Sequence, residues 1–237
     1  MRLDRFITQH TGRPEKEVLR LIRAGAVVVE GEEARENRHP VDEFTAVSVE
    51  GEALPCREAL YVMLHKPAGY LSATSDDEHP TVITLIDHPL AGELHLAGRL
   101  DRASTGLLLL TNNGRWSKAV TEPGQGVAKR YLVETREVIG AEAAGKFAEG
   151  IYFAYEDLTT GPAELEVLGE REARLTIFEG RYHQVKRMFH AVGNRVTALH
   201  RESIGGLVLD AGLGPGAWRR LGGEEVALFR GARTDLD

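Results

Sequence analysis

The sequence predicts an α+β protein in two parts. Residues 1–58 read as a small αα-then-β unit, and residues 59–237 as a larger domain on a mainly antiparallel mixed sheet with flanking helices. Three observations carry this. Apolar residues recur at helical spacing near the N-terminus and then give way to short β-branched runs. A polar connection, Pro55 to Glu58, separates that unit from the rest of the chain. Beyond it, strand-like and helix-like segments mix without a regular βαβ period, which favours a largely antiparallel sheet.

Each element has a local reason. Leu3, Phe6 and Ile7 share one helical face, and Gly12 can end that helix. Pro14 suits the first turn of a second helix, with Val18, Leu21 and Ile22 inward and Gly25 as terminator. Val27 to Val29 and Ala46 to Val49 come next as brief strands. In the larger domain, strands are expected at Leu60 to Leu64, Leu107 to Thr111, Arg130 to Glu134, Ala163 to Val167, Arg174 to Phe178 and Val196 to His200. Helices are expected at Ala141 to Glu149 and Gln184 to Val192.

Composition bounds the function. At 42% hydrophobic residues the chain can bury a core, and no apolar run approaches the roughly 20 residues that span a bilayer. The charged, amphipathic N-terminus lacks a signal-peptide core, so the expected location is the cytoplasm. A single cysteine, Cys56, excludes an internal disulfide and a cysteine-rich zinc cluster, and the nine histidines lack metal-ligand spacing. The net charge of -7 argues against indiscriminate polyanion binding. Any nucleic acid must therefore meet a local basic face. Two are available: Arg2 to Arg23, and the stretch from Arg181 to Arg201. Each could equally be a solvated helix face.

The densest signal is Gly98-Arg99-Leu100-Asp101-Arg102-Ala103-Ser104-Thr105-Gly106, leading into Leu107 to Leu110. Glycines at both ends permit tight turns beside a buried strand, so an acid is displayed from a rigid support. On its own such an acid is more often a turn cap than a nucleophile. Downstream stand Lys129-Arg130-Tyr131-Leu132-Val133 and a glycine turn leading into basic and aromatic residues, Glu179-Gly180-Arg181-Tyr182-His183-Gln184-Val185-Lys186-Arg187-Met188-Phe189.

These three tracts, in this order and spacing, resemble the pseudouridine synthases, and within them the branch that acts on small-subunit ribosomal RNA. The resemblance extends over essentially the whole chain. It implies that Asp101 is the catalytic aspartate, that Lys186 is its cationic partner, and that Tyr131 packs on a flipped uracil. Lysine, where most relatives outside this branch have arginine, would give a single-point contact instead of a fork. The resemblance also places Leu100, Ile204 and Gly205 in the pocket wall, and Arg99, Arg181 and Arg187 against RNA. The first unit resembles the S4 RNA-binding domain, with Arg5, Arg13, Lys16, Arg20 and Arg23 facing phosphates; from the residues alone it could as well be a stabilising subdomain.

The reaction so implied is isomerisation of uridine to pseudouridine, which needs no metal and no organic cofactor. The implied partner is 16S rRNA, at a uridine of the helix-18 hairpin, on a partly assembled small-subunit particle. No membrane is involved, and a monomer with a hinge near Pro55 is expected. Asp101 could attack C1′ or help remove the C2′ proton. A 23S rRNA stem-loop target and a non-catalytic RNA-binding assembly factor are the alternatives. A retaining glycosidase would require a second cooperating carboxylate. The chain departs from the branch at His65, where asparagine is usual, and at Ala103-Ser104, where an acid-threonine pair is usual. The alternating glycines of Gly212 to Gly216 lack a Lys-Ser/Thr ending and read as a turn.

Overall fold

The computed structural model describes residues 1–122, 124 and 126–229, and it divides the chain into two units, Met1–Ala59 and Leu60–Asp237. The division falls one residue later than the expected 1–58. Leu60 belongs to the second unit because its side chain is fully buried there and its N–H donates to Asn112 Oδ1 at 2.9 Å.

In the first unit, α1 (Leu3–Thr11) turns Leu3, Phe6 and Ile7 inward and stops at Gly12, whose φ of +68° is cheap only for glycine. Asp4 is also buried, held by Arg2, by Asn37 Nδ2 at 3.0 Å and by the Arg5 N–H at 2.7 Å. Hydrogen bonding outweighs burial there and keeps the carboxyl below its usual pKa. Helix α2 (Glu15–Arg23) comes after Pro14 and buries Val18 and Ile22. Both helices pack on a four-stranded antiparallel sheet of β1 (Val27–Val29), β2 (Glu32–Glu33), β3 (Val47–Val49) and β4 (Glu52–Ala53), in the order β2-β1-β3-β4. Val27, Val29, Val47 and Val49 point inward by simple alternation.

The second unit is organised by a nine-stranded sheet. Its strands are β5 (Tyr61–Lys66), β6 (His95–Leu96), β7 (Thr105–Thr111), β8 (Lys129–Thr135), β11 (Ala163–Gly169), β12 (Glu172–Ile177), β13 (Val196–Ile204), β14 (Leu207–Val208) and β15 (Trp218–Arg220). A separate hairpin joins β9 (Tyr152–Phe153) to β10 (Leu158–Thr159). The main path runs β11-β12-β8-β13-β7-β5-β15, with β6 paired to β7 and β14 to β13. Among these described pairings all are antiparallel except β13 with β7. The sheet is thus mixed and mainly antiparallel. The tetraleucine run of β7 serves both of its faces. Leu107 and Leu109 meet Trp116 and Phe229 on one side, and Leu108 and Leu110 meet Val62, Val82 and Ile86 on the other. Burial on both faces is why this strand reads as continuous instead of alternating.

Helices α3 (Gly114–Thr121), α4 (Ala143–Glu149), α5 (Gln184–Ala191) and α6 (Gly223–Ala227) flank the sheet. α3 and α6 were not expected from the sequence. Asn113 starts α3 by accepting from the N–H groups of Arg115 and Trp116 at 3.0 and 3.2 Å. Trp116 Nε1 then donates to the Val226 carbonyl at 3.1 Å, tying α3 to α6. Phe147 of α4 and Phe189 of α5 pack edge to face over Val133, Leu175 and Leu199.

Strand β7 changes neighbours along its length, and this opens the site. Its start, Thr105 and Gly106, pairs with His200 and Arg201 of β13, whereas its end, Leu110 and Thr111, pairs with Leu96 and His95 of β6. The loop from Gly98 to Ser104 emerges where the two neighbours part.

Candidate active site

That loop carries Asp101, and several interactions fix it. Gly98 and Gly106 adopt φ of +100° and +108°. A Cβ on Gly106 would lie 2.3 Å from the Arg201 carbonyl oxygen, so glycine lets β13 approach at that point. Ser72 Oγ donates to the Leu100 carbonyl at 2.7 Å and the Leu100 N–H returns a bond at 3.1 Å. Behind the loop, the fully buried Lys66 donates from Nζ to the carbonyls of Pro67, Arg102 and Ser104 at 3.0, 3.3 and 2.9 Å. Burial pushes its pKa down to about 8, against the pull of Asp101.

Both carboxylate oxygens of Asp101 are held. Lys186 Nζ lies 2.5 Å from Oδ2, and His183 Nε2 lies 3.1 Å from Oδ1. The expected single-point lysine contact is therefore completed by a residue the sequence reading passed over. His183 precedes α5 in the left-handed region, φ +49°, three residues before Lys186, so both side chains reach the same acid. The Asp101 and Lys186 side chains are a quarter and a third exposed, so the ion pair itself adds at most about 1 kcal/mol to folding. Its consequence is orientation of the carboxylate.

The turn before α5 is organised by Glu179. Its carboxylate accepts from Gln184 Nε2 at 2.6 Å, Arg181 Nε at 2.9 Å and the Gly161 N–H at 3.1 Å. Gln184 Oε1 in turn accepts from the Arg181 N–H at 3.0 Å. Tyr182 stacks on His183 with ring centroids 3.8 Å apart and is largely exposed at the rim.

Asp101, Tyr131 and Lys186 line one cavity of about 650 Å³, together with Leu100, Arg99 and Arg181. Tyr131 is buried in the floor, its hydroxyl 3.4 Å from Arg201 Nη1. Arg201, also in the floor, spans the gap between β13 and β7. Its Nε donates to the Leu107 carbonyl at 2.8 Å and its Nη1 to the Arg99 carbonyl at 3.2 Å. Lys129 sits beside it, and burial together with the charge of Arg201 lowers its pKa to about 8. His183, Arg201, Lys129 and Lys66 are the site groups that sequence reasoning did not select. His183 and Arg201 lie in the second basic tract and Lys66 and Lys129 outside both, but nothing local distinguishes a buried cation from a surface one.

One expectation is corrected. Ile204 and Gly205 do not line the cavity. They form the turn from β13 into β14, where Ile204 is buried with Trp116 and Phe229, and a Cβ on Gly205 would meet Phe229 at 3.1 Å. Arg187, expected on RNA, is partly exposed and also makes contacts within the protein. It pairs with Glu156, packs 3.7 Å over the Phe153 ring and reaches the Tyr182 carbonyl at 3.5 Å, docking the β9–β10 hairpin against α5. In the first unit Arg13 pairs with Glu50 at 2.6 Å, while Arg5, Lys16, Arg20 and Arg23 are exposed.

A carboxylate held at both oxygens in a cavity floored by a phenol suits chemistry at a sugar carbon beneath a planar base. Comparison with known proteins agrees. Residues 60–191 match the family model described as RNA pseudouridylate synthase. Ribosomal small subunit pseudouridine synthase A of Pseudomonas aeruginosa is 47% identical over 227 residues, spanning 95% of this chain and 99% of that protein. The enzyme of the same description from Escherichia coli K12 is 46% identical over 228 residues, spanning 96% and 99%. A solved pseudouridylate synthase superposes with a TM-score of 0.70 at 41% identity, covering 97% of this chain and 99% of that one. Built on this fold and sharing this sequence along nearly its full length, the chain belongs to the RNA pseudouridylate synthase family, whose members are isomerases.

Proposed function

We propose that this enzyme isomerises one uridine of small-subunit ribosomal RNA to pseudouridine, with Asp101 as the catalytic carboxylate. The observation that carries the reading is the grip on Asp101, Lys186 on one oxygen and His183 on the other, in a cavity shared with Tyr131. Activation is here a matter of aim, set by the two groups that hold the carboxylate. Held in this way, the carboxylate can meet C1′ or take the C2′ proton as the base departs, and Tyr131 offers a flat surface for the uracil as it turns. Bond breaking and remaking within one nucleotide brings no net oxidation or reduction, and the reading calls for no cofactor.

The small-subunit target rests on the relatives from Pseudomonas aeruginosa and Escherichia coli, both named for it. The family resemblance points further to the uridine of the helix-18 hairpin, met on a partly assembled particle. In this reading the first unit is an S4-like RNA-docking domain, and exposed Arg5, Lys16, Arg20 and Arg23 meet phosphates without reading bases. Arg99 and Arg181 would do the same at the cavity mouth. The test is Asp101→Asn, assayed by pseudouridine mapping of both 16S and 23S rRNA after incubation with purified protein. Product in 16S rRNA from the wild type, and none from a variant that still binds RNA, is the expected result. Product from the variant would overturn the role of Asp101, and product in 23S rRNA alone would overturn the target.

A further inference from the structure

The cavity floor carries more positive charge than the grip on Asp101 uses. Lys129 and Tyr131 stand two apart on β8 and project from one face, and the register sets Tyr131 opposite Arg201 of β13. Arg201 is 2% exposed. With Nε and Nη1 committed, its Nη2 is buried with no hydrogen-bond partner among the described residues. Ser104 Oγ, another lining atom, is in the same state. Lys129 Nζ has one carbonyl acceptor, that of Val127 at 3.0 Å, for its three donors. Among the described residues, neither Lys129 nor Arg201 has a carboxylate within ion-pair distance. Lys129, half-buried in the lining with donors to spare, can receive an acceptor from the cavity, and the enclosed Arg201 behind it adds unneutralised positive charge. A phosphate would first meet exposed Arg99 and Arg181 at the mouth. The floor, beneath the Tyr131 ring, fits the base.

We infer that Lys129 and Arg201 form an anion site for the departing uracil, with Lys129 a catalytic residue of the isomerisation. This rests on the function proposed above. When the C1′–N1 bond breaks, its electron pair leaves with the base, and the charge spreads from N1 onto O2 and O4. C1′ is meanwhile bonded by the Asp101 carboxylate, or the C2′ proton passes to that carboxylate and later returns. After rotation, C5 supplies the pair for the new bond to C1′, any C1′–carboxylate bond breaks with its pair returning to Asp101, and C5 then loses its proton to solvent while N1 takes one up, so the product is an isomer of the substrate. On either route the base is transiently anionic, and donors aimed at its oxygens act on that state more than on neutral uridine. Burial and the nearby Arg201 charge set the ammonium of Lys129 close to its ionisation at about pH 8, so it is charged at neutral pH and discharged above.

The experiment is single-turnover pseudouridine formation on unmodified rRNA transcripts from roughly pH 6 to 10, across the range in which a perturbed lysine titrates. Wild type should slow as pH rises through about 8. Lys129→Met should be about 100-fold slower at neutral pH, with RNA affinity within about twofold. Lys129→Arg should recover most of the rate and show a shallower alkaline fall than wild type, because its charge persists while Lys66 still titrates in the same range. A Lys129→Met enzyme as fast as wild type at neutral pH, or a Lys129→Arg enzyme as slow as Lys129→Met, overturns this inference and leaves the proposed function standing. Wild type that makes no pseudouridine in either rRNA overturns both.

Discussion

Gly106→Ala tests whether the opening between β7 and β13 depends on a missing side chain. At φ +108° an alanine is strained, costing about 1–3 kcal/mol. Its Cβ would also lie 2.3 Å from the oxygen and 2.5 Å from the nitrogen of Arg201. Both neighbours are backbone, so β13 must retreat by about 1 Å to reach ordinary contact. That movement draws Arg201 Nε off the Leu107 carbonyl and leaves buried polar groups unpaired, at about 1–3 kcal/mol more. The sum, about 2–6 kcal/mol, is a large fraction of the 5–15 kcal/mol typical of a folded domain. For a unit of this size it corresponds to a fall of about 10 °C in Tm. Both tryptophans, Trp116 and Trp218, lie in the second unit, so fluorescence-detected thermal unfolding reports on it selectively. Gly114→Ala is the control. Its Cβ would touch nothing within 4 Å and it opens α3, so a gain of about 0.5–1 kcal/mol is expected. A Gly106→Ala protein that melts within about 2 °C of wild type would refute the close-approach argument.

Two further perturbations probe the supports of the site. Lys66 has a pKa of about 8 in the folded protein and 10.5 as an ordinary lysine, so between those values the unfolded chain binds the extra proton. The penalty for the buried charge is therefore full below pH 8 and is relieved as pH rises toward 10.5, a gain on the order of 3 kcal/mol. Lys129 has the same lowered pKa and adds to the rise, so urea titrations at about pH 7.5 and 10 should show a gain in wild type that is smaller by about that amount in Lys66→Met; equal pH dependence in the two proteins would contradict it. Glu179→Ala removes the acceptor shared by Gly161, Arg181 and Gln184, costing about 2 kcal/mol and loosening the turn that aims His183 and Lys186. Faster amide exchange over residues 180–186 and a kcat lowered about tenfold are expected, and unchanged exchange would count against the role given to Glu179.

Much of this molecule was legible before folding. The 3.6-residue spacing of Leu3, Phe6 and Ile7, the stop at Gly12 and the alternation of the valines are local signals, and α1, α2, β1 and β3 obey them. The strands β8, β11, β12 and β13 appear within a few residues of their expected positions. Asp101, Tyr131 and Lys186, picked out by tract and order, line one cavity. Less was visible where chemistry runs against local pattern. α3 and β15 expose polar residues beside a few apolar ones and are secured by remote partners, Val226 for Trp116 and β5 for Trp218.

The chain by itself therefore determined most of its elements and its two-part organisation, because periodicity and turn residues are properties of neighbouring positions, while the choice of one acid, one phenol and one amine came from the resemblance of three tracts to a known family. Tertiary structure alone decided that Arg201 and Lys66 are interior cations, that Arg187 pairs with Glu156, and that Ile204 faces the core and not the cavity. It also decided that His183 completes the grip on Asp101. Each of these depends on which distant strand lies alongside. Desolvation, pairing and close approach are set by groups far apart in sequence, and no local pattern encodes them.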